Sequence, residues 1–271
     1  MIPGRDAPNY AFRVPFDVIC EIEPPTRPDL KHVRHQIGVL TKVASAFLIP
    51  DNHIGRATVS SVAVAHEVDQ MGGRSIACLN ARDRNLLGFR RDLLTAAAYG
   101  VDQFLFVFGD EPSSGGRTSD LTVRAMVDEV RATADDPRFE GFPRFRAGAT
   151  TGLRKLPAWK AEADFLFVQI SYSLDRLLEW RASIDVDIPV YAGVMVIASA
   201  AMAGRISAAI PDLGIPDALV EAVAADPAAG VEAACEQVAA IEASGAFDGV
   251  HLVPVSRYRE VAARLERARR A

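Results

Sequence analysis

Eight short apolar runs, each trailed by a stretch with helical periodicity, divide this chain from end to end. They are Phe16 to Glu23, Ala46 to Pro50, Ser75 to Leu79, Gln103 to Phe108, Arg144 to Thr150, Asp164 to Ile170, Ile188 to Val194 and Phe247 to Pro254. Runs this short, rich in Val, Ile and Phe and stopped by Gly, Pro or Asp, suit strands buried on both faces. Strict strand–helix alternation implies parallel pairing through right-handed crossovers. Eight such units in 271 residues is the usual size of a closed barrel. The expected fold class is therefore α/β, a single (β/α)8 TIM barrel, with residues 1–271 forming one domain. An open doubly wound sheet is the runner-up. No G-x-G-x-x-G follows the first strand and no G-x-x-x-x-G-K-S/T occurs, so neither nucleotide fingerprint favours it.

The helices follow the same reading. Asp29 to Val43 carries Leu30, Val33, Ile37, Leu40 and Val43 at helical spacing, and Ala57 to Met71 ends at Gly72-Gly73. Asp83 is the expected cap of a helix running to Tyr99, where Gly100 closes it, and Ser119 or Asp120 the expected cap of a helix to Ala134. A short helix is expected around Pro157 to Ala163. Further helices are expected over Leu174 to Ser183, Ala198 to Ala209, from Ile215-Pro216-Asp217, over Ala228 to Ser244, and from Ser256 onward.

Composition narrows the function classes. A net charge of −5 gives no electrostatic case for nucleic acid or an anionic membrane. Cys20, Cys78 and Cys235 are far apart, with no C-x-x-C and no His at ligand spacing, which argues against a disulfide framework or a zinc site and fits a reducing compartment. No apolar run reaches membrane-spanning length, and no signal-peptide h-region is visible. A cytoplasmic chain acting on a small molecule is expected. Oligomeric state stays open, a homo-oligomer included.

In a barrel, chemistry is read from the residues that close the strands. Here these are Glu21 and Glu23, Asp51-Asn52, Asn80, Gly109-Asp110-Glu111, Thr150-Thr151, Gln169, Met195, and Ser256-Arg257 after His251. The set lacks the several His and Asp that hold a divalent metal, and no Ser sits on a G-x-S-x-G elbow. What remains suits a moderately polar organic ligand with one carboxyl group moving a proton. Glu21 and Glu23 lie two apart on a strand, so their side chains share a face about 7 Å apart. Apolar Val18, Cys20 and Ile22 take the alternate positions, which turns the two glutamates toward the barrel interior. Like-charge repulsion and desolvation are then expected to raise at least one of their pKa values. Cys78 reads as a small core residue, and His251 as a satisfied core or barrel-mouth histidine.

At these residues the sequence resembles the methylenetetrahydrofolate reductase family, a (β/α)8 barrel family. The likeness covers nearly the whole chain in matching order. Cys20-Glu21-Ile22-Glu23-Pro24-Pro25 stands where the family's first strand reads Phe-Glu-Phe-Phe-Pro-Pro. Gly109-Asp110-Glu111-Pro112 matches its Gly-Asp-x-Pro, and Ser119-Asp120-Leu121 its later Ser-Asp-Leu. Gln169-Ile170-Ser171-Tyr172 stands at its sixth-strand Gln, Ala192 to Val196 at its Pro-Gly-Ile-x-Pro, and His251 to Arg257 at its His-Phe-Tyr-Thr-Leu-Asn-Arg.

The resemblance implies reduction of 5,10-methylenetetrahydrofolate to 5-methyltetrahydrofolate, with NAD(P)H as hydride donor and FAD as the family's cofactor. It implies Glu21 as general acid and Asp110 as the carboxylate that holds the pterin. Gln169 would take the pterin edge, and Arg257 would lie near the folate tail. Glu23, Met195 and Tyr172 would line the substrate, and Asn80, Gly109, Asp110 and Thr150 the cofactor. The departures fall mostly on flavin contacts. Cys78 replaces a His, Phe108 replaces the Arg before Gly-Asp, and Ala147 to Thr150 replaces Ala-Ala-Tyr-Pro. The Asn-x-x-Arg-Lys stretch that holds FAD phosphates has no clear counterpart near Leu156 to Ala163. Two routes therefore stay open, through FAD or directly from NAD(P)H to the pterin. Two further alternatives are a non-catalytic barrel that binds reduced pterin as a partner subunit, and a related one-carbon transfer enzyme.

Overall fold

The structure, a computed structural model, describes residues 16–111, 113–210 and 213–270. Pro112, which completes the Gly-Asp-x-Pro match, lies outside the described residues, as do the polar N-terminal residues 1–15. Eight parallel strands close on themselves in sequence order: β1 (Asp17–Glu21), β2 (Ala46–Ile49), β3 (Ser75–Asn80), β4 (Gln103–Val107), β5 (Arg146–Thr151), β6 (Phe165–Val168), β7 (Val190–Met195) and β8 (Gly249–Val253). Closure comes from the pairing of β1 with β8, where Ile19 stands opposite His251. The chain is thus the (β/α)8 barrel that its alternation implies, not an open sheet.

Period-two alternation divides the core in two. Val18 and Cys20 on β1, and Ile22 directly after it, point outward and pack with the helices in one large cluster. Ile19, Leu48, Ile76, Cys78, Leu105, Phe165, Phe167 and Tyr191 point inward and fill the barrel as a second cluster. The filling depends on Gly148: a Cβ there would stand 2.0 Å from the Phe165 ring, so β5 yields its space to an aromatic from β6. Cys20 and Cys78 are both buried thiols, and burial pushes Cys20 up to about 12.

The helices are α1 (Lys31–Leu40), α2 (Ser61–Gln70), α3 (Leu86–Tyr99), α4 (Val123–Ala132), α5 (Leu174–Ala182), α6 (Ala200–Ala209), α7 (Asp217–Ala225), α8 (Ala228–Ser244) and α9 (Tyr258–Arg270). Among the described residues no helix is long and apolar enough to cross a membrane.

Three sequence expectations change here. Asn85, not Asp83, caps α3, accepting from the Gly88 N–H at 2.8 Å. Thr122, not Ser119 or Asp120, caps α4, accepting from the Ala125 N–H at 3.1 Å. In both cases the carboxylate is used over a longer range: Asp83 accepts from the Asn52 side-chain amide at 2.9 Å, and Asp120 accepts from the Leu86 N–H at 2.7 Å. Between β5 and β6 the expected helix shrinks to a single 3-10 turn, Ala158–Lys160. Gly152 and Pro157 interrupt that connection, and its polar residues leave no continuous apolar stripe to bury.

Candidate active site

The carboxyl ends of the strands enclose a cavity of about 360 Å³. Leu48, Cys78, Leu105 and Phe167 make its floor, and Glu21, Asp51, His53, Gly109, Asp110, Thr150, Gln169 and His251 stand around it. That volume lies at the lower end of the range for small-molecule sites. Among the described residues no three His, Cys, Asp or Glu side chains cluster as metal ligands do.

Glu21 is the last residue of β1 and belongs to its inward-facing set, one pleat above Ile19. Its Oε2 lies 3.1 Å from Nε2 of His251, and both side chains are mostly buried, 16% and 14% exposed. The His251 ring is held on another side by the edge of Phe167, 5.3 Å between centroids. The expected Glu21–Glu23 carboxylate pair does not form. β1 ends at Glu21, so Glu23 leaves the pleat and lies exposed before Pro24-Pro25. The neighbour of Glu21 is an imidazole, not a second carboxylate.

Across the mouth, β4 runs into Gly109-Asp110. Gly109 has φ +99°, and a Cβ there would meet the Asn80 side chain at 3.0 Å, so glycine is required on both counts. The turn carries Asp110 to an exposed position on the rim, where its Oδ2 accepts from the Ile54 N–H at 3.1 Å. Ile54 and Asn52 both adopt positive φ, at 56° and 46°. The loop after β2 is therefore strained where Asp110 ties it down. Gln169 is exposed on the rim and half-buried Thr150 lies beside it.

Between these two corners, buried charge closes on itself. Asn80 is fully buried and its amide donates to Asp51 at 2.7 Å and to Asp83 at 2.9 Å, while its own oxygen accepts from the Asp83 N–H at 2.9 Å. Arg84 pairs with Asp51 and, at 2.8 Å, with Asp92. Arg82, 1% exposed, grips Asp83 with two nitrogens at 2.6 Å. The Arg82 guanidinium, helped by the Asn52 and Asn80 amides, holds the Asp83 carboxyl down at about 2.

The sequence-selected residues divide accordingly. Glu21, Gly109, Asp110, Thr150 and Gln169 meet around one cavity. Asn80 stands behind it, its amide consumed. Tyr172 packs beside Ile197 and Val223, and its hydroxyl donates to the Met195 carbonyl at 3.3 Å; burial raises that phenol well above its ordinary range. Arg257 pairs with Glu260 on α9. Neither Met195, Tyr172, Arg257 nor Glu23 lines the cavity. His251, read from the sequence as a core or barrel-mouth histidine, lines it, and so does His53, to which no role was assigned. The His251 pairing rests on the β1–β8 register, and the one available signal for His53 was its place two residues past Asp51.

The flavin that the resemblance implies can be tested against these residues. At the β3–β4 rim the Asn80 amide has no free donor or acceptor. Cys78 is a thiol that burial, with the Glu21 and Asp51 carboxylates, holds neutral. Phe108 is 49% exposed beneath the Arg117 guanidinium, 5.4 Å from ring centroid to carbon, and does not line the cavity. These three positions offer no free side-chain donor to a flavin ring.

The family model for methylenetetrahydrofolate reductase matches residues 21–268. Among curated protein sequences none matches significantly. Several solved structures share the fold. An uncharacterized protein from Clostridium thermocellum that binds two copies of 5-methyl-5,6,7,8-tetrahydrofolic acid is 11% identical, with TM-score 0.62 over 94% of this chain and 96% of that one. Tryptophan synthase from M. tuberculosis in its open form is 15% identical, with TM-score 0.51 over 93% and 92%. The tryptophan synthase α-subunit from Pyrococcus furiosus is 12% identical, with TM-score 0.51 over 93% and 95%. At such identities the likeness establishes the barrel alone.

Proposed function

Since the chain belongs to the methylenetetrahydrofolate reductase family, we propose that its mouth cavity reduces 5,10-methylenetetrahydrofolate to 5-methyltetrahydrofolate, taking hydride from NAD(P)H without a flavin. The observation that carries this reading is Glu21, held 3.1 Å from His251 inside the cavity while Asp110 stands on its rim. Reduction needs a proton at N10 to open the methylene bridge and a hydride at the carbon of the resulting N5-iminium cation. Glu21 donates that proton. Asp110, the rim carboxylate, holds the pterin and faces the developing positive charge. Gln169 offers an amide donor and acceptor to the pterin edge.

His251 gives Glu21 a partner in both protonation states. A protonated Glu21 donates to an unprotonated Nε2, and an ionised Glu21 accepts from an Nε2–H. The acid is therefore held in one place before and after it gives up its proton, and solvent restores the proton through the open mouth. The absent flavin donor set supports direct hydride transfer, in which the nicotinamide ring lies against the pterin.

Purified protein incubated with NAD(P)H and 5,10-methylenetetrahydrofolate is expected to form 5-methyltetrahydrofolate and the oxidised nucleotide in equal amounts, with no flavin absorbance and no stimulation by added FAD. Tight folate binding with no NAD(P)H turnover, flavin supplied or not, would replace the reductase with a folate-binding barrel.

A further inference from the structure

The chain has 5 histidines. Four of them have a ring partner: His32 meets Gln36, His35 accepts from Arg259, His66 meets the Tyr99 carbonyl, and His251 meets Glu21. The remaining one, half-buried His53, lines the central cavity, and among the described residues nothing hydrogen-bonds its ring.

The backbone that presents this ring is strained and pinned on both sides. Asn52 and Ile54 flank it in the left-handed region, which a β-branched side chain such as Ile54 rarely adopts. The Asn52 side chain donates to Asp83 at 2.9 Å and accepts from the Thr58 N–H at 3.2 Å. The Ile54 N–H donates to Asp110. The Gly55 carbonyl accepts from the Ser113 N–H at 2.9 Å and from its hydroxyl at 2.8 Å. Strain of this kind persists only where the surroundings over-determine it, and it clusters at ligand sites. The turn is held by its neighbours, and the His53 ring is left to the cavity.

What the ring supplies follows from the wall around it. On the β2, β3 and β4 side of the cavity, Leu48, Leu105 and Val107 are apolar, and the Asp51 carboxylate is spent on Asn80 and Arg84. Cys78 carries only a weak S–H donor, and an ionised Asp110 only accepts. Among the described residues, His53 is therefore the one strong side-chain donor on that side. A pterin carries, along one edge, N–H and amino donors beside a ring carbonyl. A carboxylate satisfies the donors and leaves the carbonyl in need of an N–H. We propose that His53 is a substrate-contacting residue, its ring N–H donating to the carbonyl of the pterin that Asp110 holds. The identity of that ring rests on the proposed function; the unpartnered imidazole on a strained, pinned turn does not.

The test titrates 5-methyltetrahydrofolate into the full chain and into its His53→Ala variant, and measures the KM of each substrate under turnover. The native protein is expected to bind, and the variant to bind about tenfold more weakly, the scale of one hydrogen bond. In turnover the KM for the folate is expected to rise by the same factor, while kcat and the KM for NADPH stay near native. That split marks a contact made equally before and during reaction. Equal folate affinity in the variant overturns the assignment. So does an equal loss for both substrates, which marks a distorted turn and not a lost contact. Should His53→Ala fail to fold, His53→Leu, which fills the space without a ring nitrogen, applies the same test. If the native protein binds 5-methyltetrahydrofolate but turns nothing over, the reductase falls and the titration still decides His53. If it binds no folate, both fall.

Discussion

At the β1–β8 edge of the barrel mouth, Glu21 and His251 meet across 3.1 Å and face a cavity. At the β2–β3 edge, Asp51, Asn80 and Asp83 face Arg82, Arg84 and one another. The two corners hold the same kinds of residue at the same end of the same barrel. They differ in what their hydrogen bonds are used for. In the second corner the carboxylates and the Asn80 amide are spent on partners within the protein, which fixes the loops, and one buried Arg82 nitrogen is left without a partner. In the first, Glu21 and His251 are each other's only described side-chain partners, and both open to a space that a small molecule fits. Polar residues at a barrel mouth are thus divided into scaffold and chemistry by unspent hydrogen-bonding capacity, not by residue type.

Substitutions sharpen that division. The largest expected effect on stability is at Asp51→Ala. It strips a mostly buried Arg84 of one partner and leaves the Asn80 amide short of an acceptor. Breaking a buried pair costs about 3 kcal/mol or more, readable as a lower urea midpoint. Glu21→Gln is expected to do the reverse, leaving the melting temperature near native and lowering kcat by roughly 10²-fold or more, the usual scale for a lost general acid. A large loss of stability with unchanged kcat would exchange the roles of the two corners.

Acid supplies the third test. The folded Asp83 carboxyl is held at about 2, below its unfolded value near 3.9. Its contribution is therefore complete above about pH 4 and is lost as pH falls toward 2, worth about 2 kcal/mol. Asp83→Asn should flatten unfolding free energy against pH in that window alone. The smallest effect is at Gly109→Ala, where a left-handed backbone and the Asn80 side chain both resist a Cβ. A cost of about 1 to 2 kcal/mol is expected, measured by thermal unfolding.

Much of this was legible in the residues. The eight strands were visible as apolar runs, with ends within a few residues of those observed, because burial on both faces leaves an unbroken pattern. Val18, Cys20 and Ile22 correctly assigned the outer face of β1 and so turned Glu21 inward. The partner of Glu21 was not legible. The Glu21–His251 contact spans most of the chain and depends on the register by which β8 meets β1, and nothing local to either residue encodes that register. Asp83 and Asp120 misled as caps because a carboxylate beside a helix start serves a tertiary contact equally well.

The most direct test of the central claim follows the hydride. NADPH deuterated at the transferring C4 position is supplied with 5,10-methylenetetrahydrofolate to protein shown by absorbance to carry no flavin, and the product methyl group is weighed by mass spectrometry. Direct transfer in this cavity predicts one deuterium per 5-methyltetrahydrofolate formed, with Glu21→Gln slowing label transfer by roughly 10²-fold. Absence of labelled product from protein that binds both ligands would contradict it.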